Sequence, residues 1–284
     1  MLWVGLIASC GSGPRPADPA PPSPPEARPK RPAVSGPSAP GPADFLPITI
    51  QGGASFRHLV RELGPDRLTI FLKLNRIDLR HARTGDTLVL PADTTLGELD
   101  LAPLPARVPA LNSVPKLIAV SQRVQAFAAY EWGHLVYWGP TSTGKRATPT
   151  PSGLFHTNWK AKKTRSTENP DWILAWYLNI ENARGVSLHQ YDLPGFPASH
   201  ACIRLLGPDA EWLYRWAEQW KVERGAVVEG SGTPVIVFGE YRYDARPPWR
   251  SLVADPLAAS VGPAEFDAVV ARHRPRLGQK DRGR

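Results

Sequence analysis

Cysteine is nearly absent from this 284-residue chain, which has only Cys10 and Cys202. That scarcity excludes a disulfide framework and a four-cysteine metal site. Long apolar runs are missing too: no stretch approaches the ~20 residues that a membrane-spanning helix needs. Acidic residues are the minority, 26 Asp and Glu against 34 Lys and Arg, for a net charge of +8 and a pI near 9.7. The basic residues neither form a stripe nor sit among aromatics in a nucleic-acid motif, so nucleic acid is not an expected partner. Wall polymers or anionic lipid fit the charge, and solubility alone accounts for it slightly better.

Proline is plentiful, at 32 residues. Between 11 and 44 the chain is mostly Pro, Ala, Ser and Gly, which cannot bury a core and reads as a semi-rigid tether. At ~3.1 Å per residue it would reach roughly 100 Å. Before it, Ile7-Ala8-Ser9-Cys10 resembles a lipobox, although the apolar run is short and no Lys or Arg precedes it. The expectation is a signal-type segment over 1–10, a lipid on Cys10, and attachment at the periplasmic side of the cell envelope. Cys202 is then an unpaired thiol in an oxidising compartment, which points to chemical use.

Residues 45–92 read as a first folded unit. Ile48 and Ile50 suggest a strand, and Phe56, Leu59, Val60 and Leu63 have helical spacing after Ser55. A second apolar run, Leu68 to Leu74, leads to Asn75, and Gly85-Asp86-Thr87-Leu88-Val89-Leu90-Pro91 gives a turn and a strand. Strand, helix, helix, strand with Leu74-Asn75 and the late Gly85-Asp86 resembles a LysM module, which implies glycan binding. Residues 93–115, with four prolines, read as a linker.

The second unit is expected at 116–243. Strands are read at Leu117–Val120, Arg123–Tyr130, His134–Tyr137 and Trp172–Asn179, and a buried strand runs from Thr233 to Gly239. Pro208-Asp209 opens a helix whose Trp212, Trp216 and Trp220 are expected to pack on the sheet rather than form a sugar platform. Residues 244–284 read as a basic Pro/Arg-rich tail with one short helix, Pro263–Arg272.

Gly185 to Leu205 is the chemically informative stretch. Val186 and Leu188 alternate with Ser187 and His189, so a strand ends in an imidazole. A loop through Pro194, Gly195 and Pro197 leads to Ser199-His200-Ala201-Cys202 and the apolar Ile203. Such a layout can set a base beside a thiol, and thiol catalysis needs that pairing. His189, the loop, then Ser199-His200-Ala201-Cys202-Ile203-Arg204 resembles the active-site signature of the L,D-transpeptidases (YkuD-type catalytic domain). Ser142-Thr143-Gly144 and Thr150-Pro151-Ser152-Gly153-Leu154-Phe155 resemble further landmarks of that family, in the same order. The fold class implied is mainly β with few helices (α+β), a β-sandwich-like catalytic domain preceded by the small LysM-like αβ domain.

The resemblance implies a monomeric cysteine acyltransferase acting on peptidoglycan stem peptides, with no cofactor and no metal. Cys202 would be the nucleophile, His189 the base, and the Gln190 carbonyl the group that orients its ring. His200, two positions from Cys202, would share its face if that segment is extended. The N–H groups of Ala201 and Cys202 would receive the oxyanion, and Ser199 and Arg204 would hold substrate. For Arg204 a structural salt bridge is an equal reading. Ala201 stands where the family has glycine, tolerable only if φ is negative or the turn shifts. Three alternatives stand beside this: carboxypeptidase action with water as acceptor, a zinc site of His189, His200 and Cys202, and a non-catalytic wall-binding protein.

Overall fold

The computed structural model describes residues 43–277 apart from 167, 224, 225, 230 and 231. The 1–10 segment with Cys10, nearly all of the 11–44 tether, and the end of the tail lie outside the described residues. Among the described residues no helix is long and apolar enough to cross a membrane.

Among the described residues the protein is mainly β with three α-helices. Strand β1 (Phe45–Thr49) pairs antiparallel with β2 (Thr87–Pro91), and helix α1 (Gly53–Asn75) lies between them in sequence. Gly64, at φ 63°, and Pro65 break α1 into the two helical pieces expected from the apolar spacing. A small core of Ile50, Phe71, Ile77, Leu88 and Leu90 holds this βααβ unit. Asn75 ties the helix end to β2: its side chain donates to the Val89 carbonyl and accepts from the Val89 N–H, each at 2.9 Å.

The main sheet has nine strands. They are β3 (Lys116–Ser121), β4 (Ala126–Glu131), β5 (His134–Ser142), β6 (Gly153–His156), β7 (Lys160–Arg165), β8 (Ile173–Glu181), β9 (Val186–Gln190), β10 (Ile203–Leu205) and β13 (Pro234–Phe238). A separate hairpin pairs β11 (Lys221–Glu223) with β12 (Ala226–Glu229). The order in the main sheet is β6-β13-β3-β4-β5-β10-β9-β8-β7. It is mixed, since β13 runs parallel to β3 and β10 parallel to β9.

Both faces of the middle strands are covered, which is why their sequences are continuously apolar. On β3, Leu117 and Ala119 enter one core while Ile118 and Val120 enter the other. Helix α2 (Gly207–Trp216) covers the second core with Ala210 and Leu213. It stops at Trp216, so Trp220 is not on it. Trp212 stacks on Tyr137 at 4.1 Å and on Trp216 at 5.4 Å, a packed face as expected.

Two expected boundaries require correction. Residues 93–115 are not a free linker: Leu101, Leu104, Val108, Leu111 and Val114 are buried in the first core, Leu101 and Leu111 on short 3-10 turns. Pro103 follows the first of those turns, and Pro109 opens the second. The region after 243 is not a bare tail either. Trp249, Phe266, Val270 and Leu277 close the same core, and helix α3 (Pro263–Leu277) outruns the expected Arg272. Ile70 and Leu74 of α1 and Val89 of β2 join that core as well, so the first unit is built onto the second.

Candidate active site

Three strand ends meet at the site. β10 is inserted between β5 and β9, and its register sets Arg204 opposite His189 and Ile203 opposite Leu188. Cys202 immediately precedes β10, diagonal to His189 across the parallel pair. Its sulfur lies 3.4 Å from Ser187 Oγ, and the thiol donates to the Gly185 carbonyl at 3.7 Å. Cys202 is half-buried and unpaired.

His189 is buried, and burial together with the Arg204 charge pulls its pKa down to about 4, against the opposing hydrogen bond to Gln190. That bond runs from Nδ1 to the Gln190 carbonyl at 2.9 Å. A carbonyl only accepts, so Nδ1 carries the proton and Nε2 keeps its lone pair. At neutral pH the ring is an uncharged acceptor. Tyr177 stacks on it at 6.3 Å. Tyr177 and Trp176 (φ 52°) sit where β8 bulges against β9, and such a bulge re-aims side chains at a site.

The two Gly- and Thr-containing landmarks hold the cysteine turn by identifiable contacts. Thr143 accepts from the Ser199 N–H and the Lys145 N–H donates to Ser199, each at 3.0 Å. Thr150 Oγ1 accepts from Gly144 and donates to the Ala201 carbonyl, each at 2.8 Å. A Cβ on Gly144 would stand 2.2 Å from the Thr148 carbonyl, so only glycine fits there. Ser199 is buried, and its hydroxyl donates to the Cys202 carbonyl. The structure thus gives Ser199 an internal partner across the turn.

Ala201 does not follow the expected negative φ. It stands at φ 80°, where a Cβ costs about 1 kcal/mol. The turn keeps the backbone shape that glycine adopts freely and carries the methyl group as strain. The segment is therefore a turn rather than extended, and His200 reaches the cavity by another route. Its Nε2 meets Lys145 Nζ at 2.9 Å, and its ring packs on Trp172 at 5.6 Å.

A small cavity of about 40 Å³ brings His189, His200, Cys202 and Arg204 together, with Ser199 and Trp172 on its wall. Arg204 is stacked over Tyr191 at 4.6 Å and donates to the Asp192 carbonyl at 3.5 Å, a backbone partner rather than a carboxylate. The zinc alternative finds no geometric basis. Among the described residues no three His, Cys, Asp or Glu side chains are arranged to hold a metal ion.

Lys145, Tyr191 and Ser187 were not anticipated as site residues from the sequence, and Trp172, expected to pack, lines the cavity. Lys145 adjoins the Gly144 landmark, and Ser187 shares the strand face of His189, so both had a positional signal. The first unit also grips the loop between the two histidines. The Asp78 N–H donates to the Leu193 carbonyl at 3.0 Å, the Leu193 N–H donates to Asp78 Oδ2 at 2.9 Å, and Ile77 bridges Pro194. Arg80 pairs with Asp192 beside them. Asp78 stays ionised below the usual range because the Leu193 hydrogen bond and His81 outweigh its burial.

Residues 115–237 match the family model of YkuD, the L,D-transpeptidase catalytic domain. Among solved structures the chain is similar to an L,D-transpeptidase (Yku) from Stackebrandtia nassauensis, at 24% identity and TM-score 0.37, over 45% of this chain and 57% of that one. It is similar to an L,D-transpeptidase from Mycobacterium smegmatis at 20% identity and TM-score 0.36, over 44% of this chain and 59% of that one. A third is L,D-transpeptidase 3 from Mycobacterium tuberculosis with a faropenem-derived adduct, at 23% identity and TM-score 0.34, over 44% of this chain and 61% of that one. The chain thus spans about three fifths of the length of these structures. No curated protein matches the chain.

Proposed function

We propose that the protein is a cysteine acyltransferase of the L,D-transpeptidase type acting on peptidoglycan stem peptides. The observation that carries this reading is the cavity shared by Cys202 with a neutral, buried His189 whose Nε2 is free to accept, within the span of the family match. His189 takes the thiol proton. The Cys202 thiolate attacks the carbonyl of the third stem residue, a diamino acid, and the terminal D-alanine leaves as the amine on taking up that proton. The thioester then passes to an amine on a second stem, which makes a 3-3 cross-link, or to an anchored protein.

The Ala201 and Cys202 N–H groups serve as donors to the oxyanion, since fixed backbone dipoles stabilise charge that develops only in the transition state. The Gln190 carbonyl holds the His189 ring in its accepting orientation. Arg204 and Ser199 bound the substrate side, Arg204 as a cation for a carboxylate and Ser199 through the shape of the turn. With water as acceptor the same chemistry is an L,D-carboxypeptidase. The strained Ala201 is the one feature that favours a non-catalytic wall-binding role instead.

The first unit is proposed as a LysM-like glycan binder, supported by its βααβ order. A lipid on Cys10, with the tether behind it, would keep the protein at the envelope beside its substrate. The test is incubation of the purified protein with a disaccharide-tetrapeptide digest, followed by mass spectrometry. Release of D-alanine with a dimer mass identifies cross-linking, and release with a hydrolysed tripeptide identifies carboxypeptidase action. No loss of alanine, together with retention on isolated wall, would leave the binding role.

A further inference from the structure

His200 carries an unexplained buried atom. Its Nδ1 is sealed from solvent and has no hydrogen-bond partner among the described residues. Buried polar atoms in folded proteins nearly always have a partner, so an orphan beside a reactive group needs a reason. Glu168, which lines the same cavity, makes no hydrogen bond to it among the described residues.

The other ring nitrogen supplies the reason. Lys145 Nζ stands 2.9 Å from His200 Nε2. An ammonium has three donors and no acceptor, so Nε2 must be the acceptor, and the proton of the neutral ring must sit on Nδ1. Lys145 is not a stray surface residue. Its own N–H donates to Ser199 at 3.0 Å and its carbonyl accepts from Thr148 at 2.9 Å. The residue before it is pinned by Tyr243, whose hydroxyl donates to the Gly144 carbonyl at 2.8 Å. The backbone that carries the ammonium is therefore locked to the cysteine turn that carries the imidazole.

We propose that Lys145 is a positioning residue that fixes His200 as the Nδ1–H tautomer, which makes His200 a hydrogen-bond donor for a substrate carbonyl or carboxylate oxygen and not a second base. The two histidines of the cavity then have opposite roles. His189 has spent its proton on the Gln190 carbonyl and offers a lone pair, while His200 has spent its lone pair on Lys145 and offers a proton. The substrate role of His200 rests on the acyl-transfer reading; the tautomer does not.

The experiment is nitrogen NMR of full-length protein labelled at the imidazole nitrogens, at pH 7, with the His200 signals assigned by their loss in His200→Gln. The expected result is a protonated Nδ1 and an unprotonated Nε2. In Lys145→Met the Nδ1–H population falls, and kcat/KM on a tetrapeptide stem drops tenfold or more with unchanged circular dichroism. Lys145→Arg, which keeps a cationic donor, keeps the tautomer. A wild-type His200 protonated at Nε2, or a tautomer unmoved in Lys145→Met, overturns the proposal. The Nδ1–H tautomer in a protein that turns over no stem peptide would instead sink the acyl-transfer reading and support the Lys145 assignment.

Discussion

Two clusters of buried ionisable groups in this protein are built on opposite plans. Under the first unit, Lys73 of α1 is fully buried and pairs with Glu98 and with Asp209 at 3.2 Å; it also donates to the Trp138 carbonyl at 2.9 Å and faces the Tyr137 ring. Tyr137 donates to Asp209 at 2.7 Å. Burial pushes the Asp209 carboxyl up, and Lys73 and Tyr137 push it back. The second Asp209 oxygen lies against Gly139, where a Cβ would come within 2.4 Å of it. That oxygen is buried without a hydrogen-bond partner among the described residues, and the cluster joins helix α1, the 93–115 segment, β5 and α2. At the cysteine turn the arrangement is looser: one accepting nitrogen, one orphan nitrogen, a strained alanine and a thiol share a cavity. Burial and charge alone therefore do not mark a reactive site. A thiol and an accepting nitrogen that line one cavity do.

The comparison can be broken most sharply at the sulfur. Cys202→Ala should lower turnover of a tetrapeptide stem by roughly 10³-fold or more while the melting temperature holds or rises. Lys73→Met should do the reverse. It strands Asp209 and Glu98 without their cation, and unfolding titrations should show a loss of about 3–5 kcal/mol. Activity per folded molecule should stay unchanged. A Lys73→Met protein of normal stability and no activity would merge the two clusters into one.

The buried His189 gives a smaller, pH-dependent effect. Its pKa falls from 6.5 to about 4 on folding, so between those values the unfolded chain binds the extra proton. The contribution is fully present above pH 6.5 and is lost as pH falls toward 4, up to about 3 kcal/mol in all. Denaturant titrations at pH 7 and pH 4 on wild type and His189→Asn should show this extra acid loss in wild type alone. The smallest effect belongs to the turn. Ala201→Gly should raise stability by about 1 kcal/mol, because glycine adopts φ 80° without a clashing Cβ. A loss of stability there would mean that the methyl group packs favourably enough to outweigh its strain.

The legible parts of the molecule were those encoded locally. The alternation of Val186, Ser187, Leu188 and His189 located a strand end, and Ser199 through Arg204 located the turn that meets it. The βααβ order of the first unit was readable from apolar spacing, with the Gly64-Pro65 break between its two helical pieces. The hidden parts depended on distant partners. Asp78 meets Leu193 and Lys73 meets Asp209 across more than a hundred residues, and no local pattern announces such contacts. Residues 93–115 misled for a related reason: prolines that suggest an open linker flank Leu101, Leu104, Val108 and Leu111, whose burial needs the main sheet as a partner. The φ at Ala201 was set by the grip of Thr150 and Ser199 on the turn, which overrode the local preference of alanine.

The most direct test of the thioester is intact-mass and peptide-mapping analysis of the protein quenched during reaction with a tetrapeptide stem. The account predicts an added acyl-tripeptide mass, with D-alanine released, located on the peptide that contains Cys202 and absent from Cys202→Ala. Turnover with no adduct on that peptide, or an adduct that persists in Cys202→Ala, would contradict it.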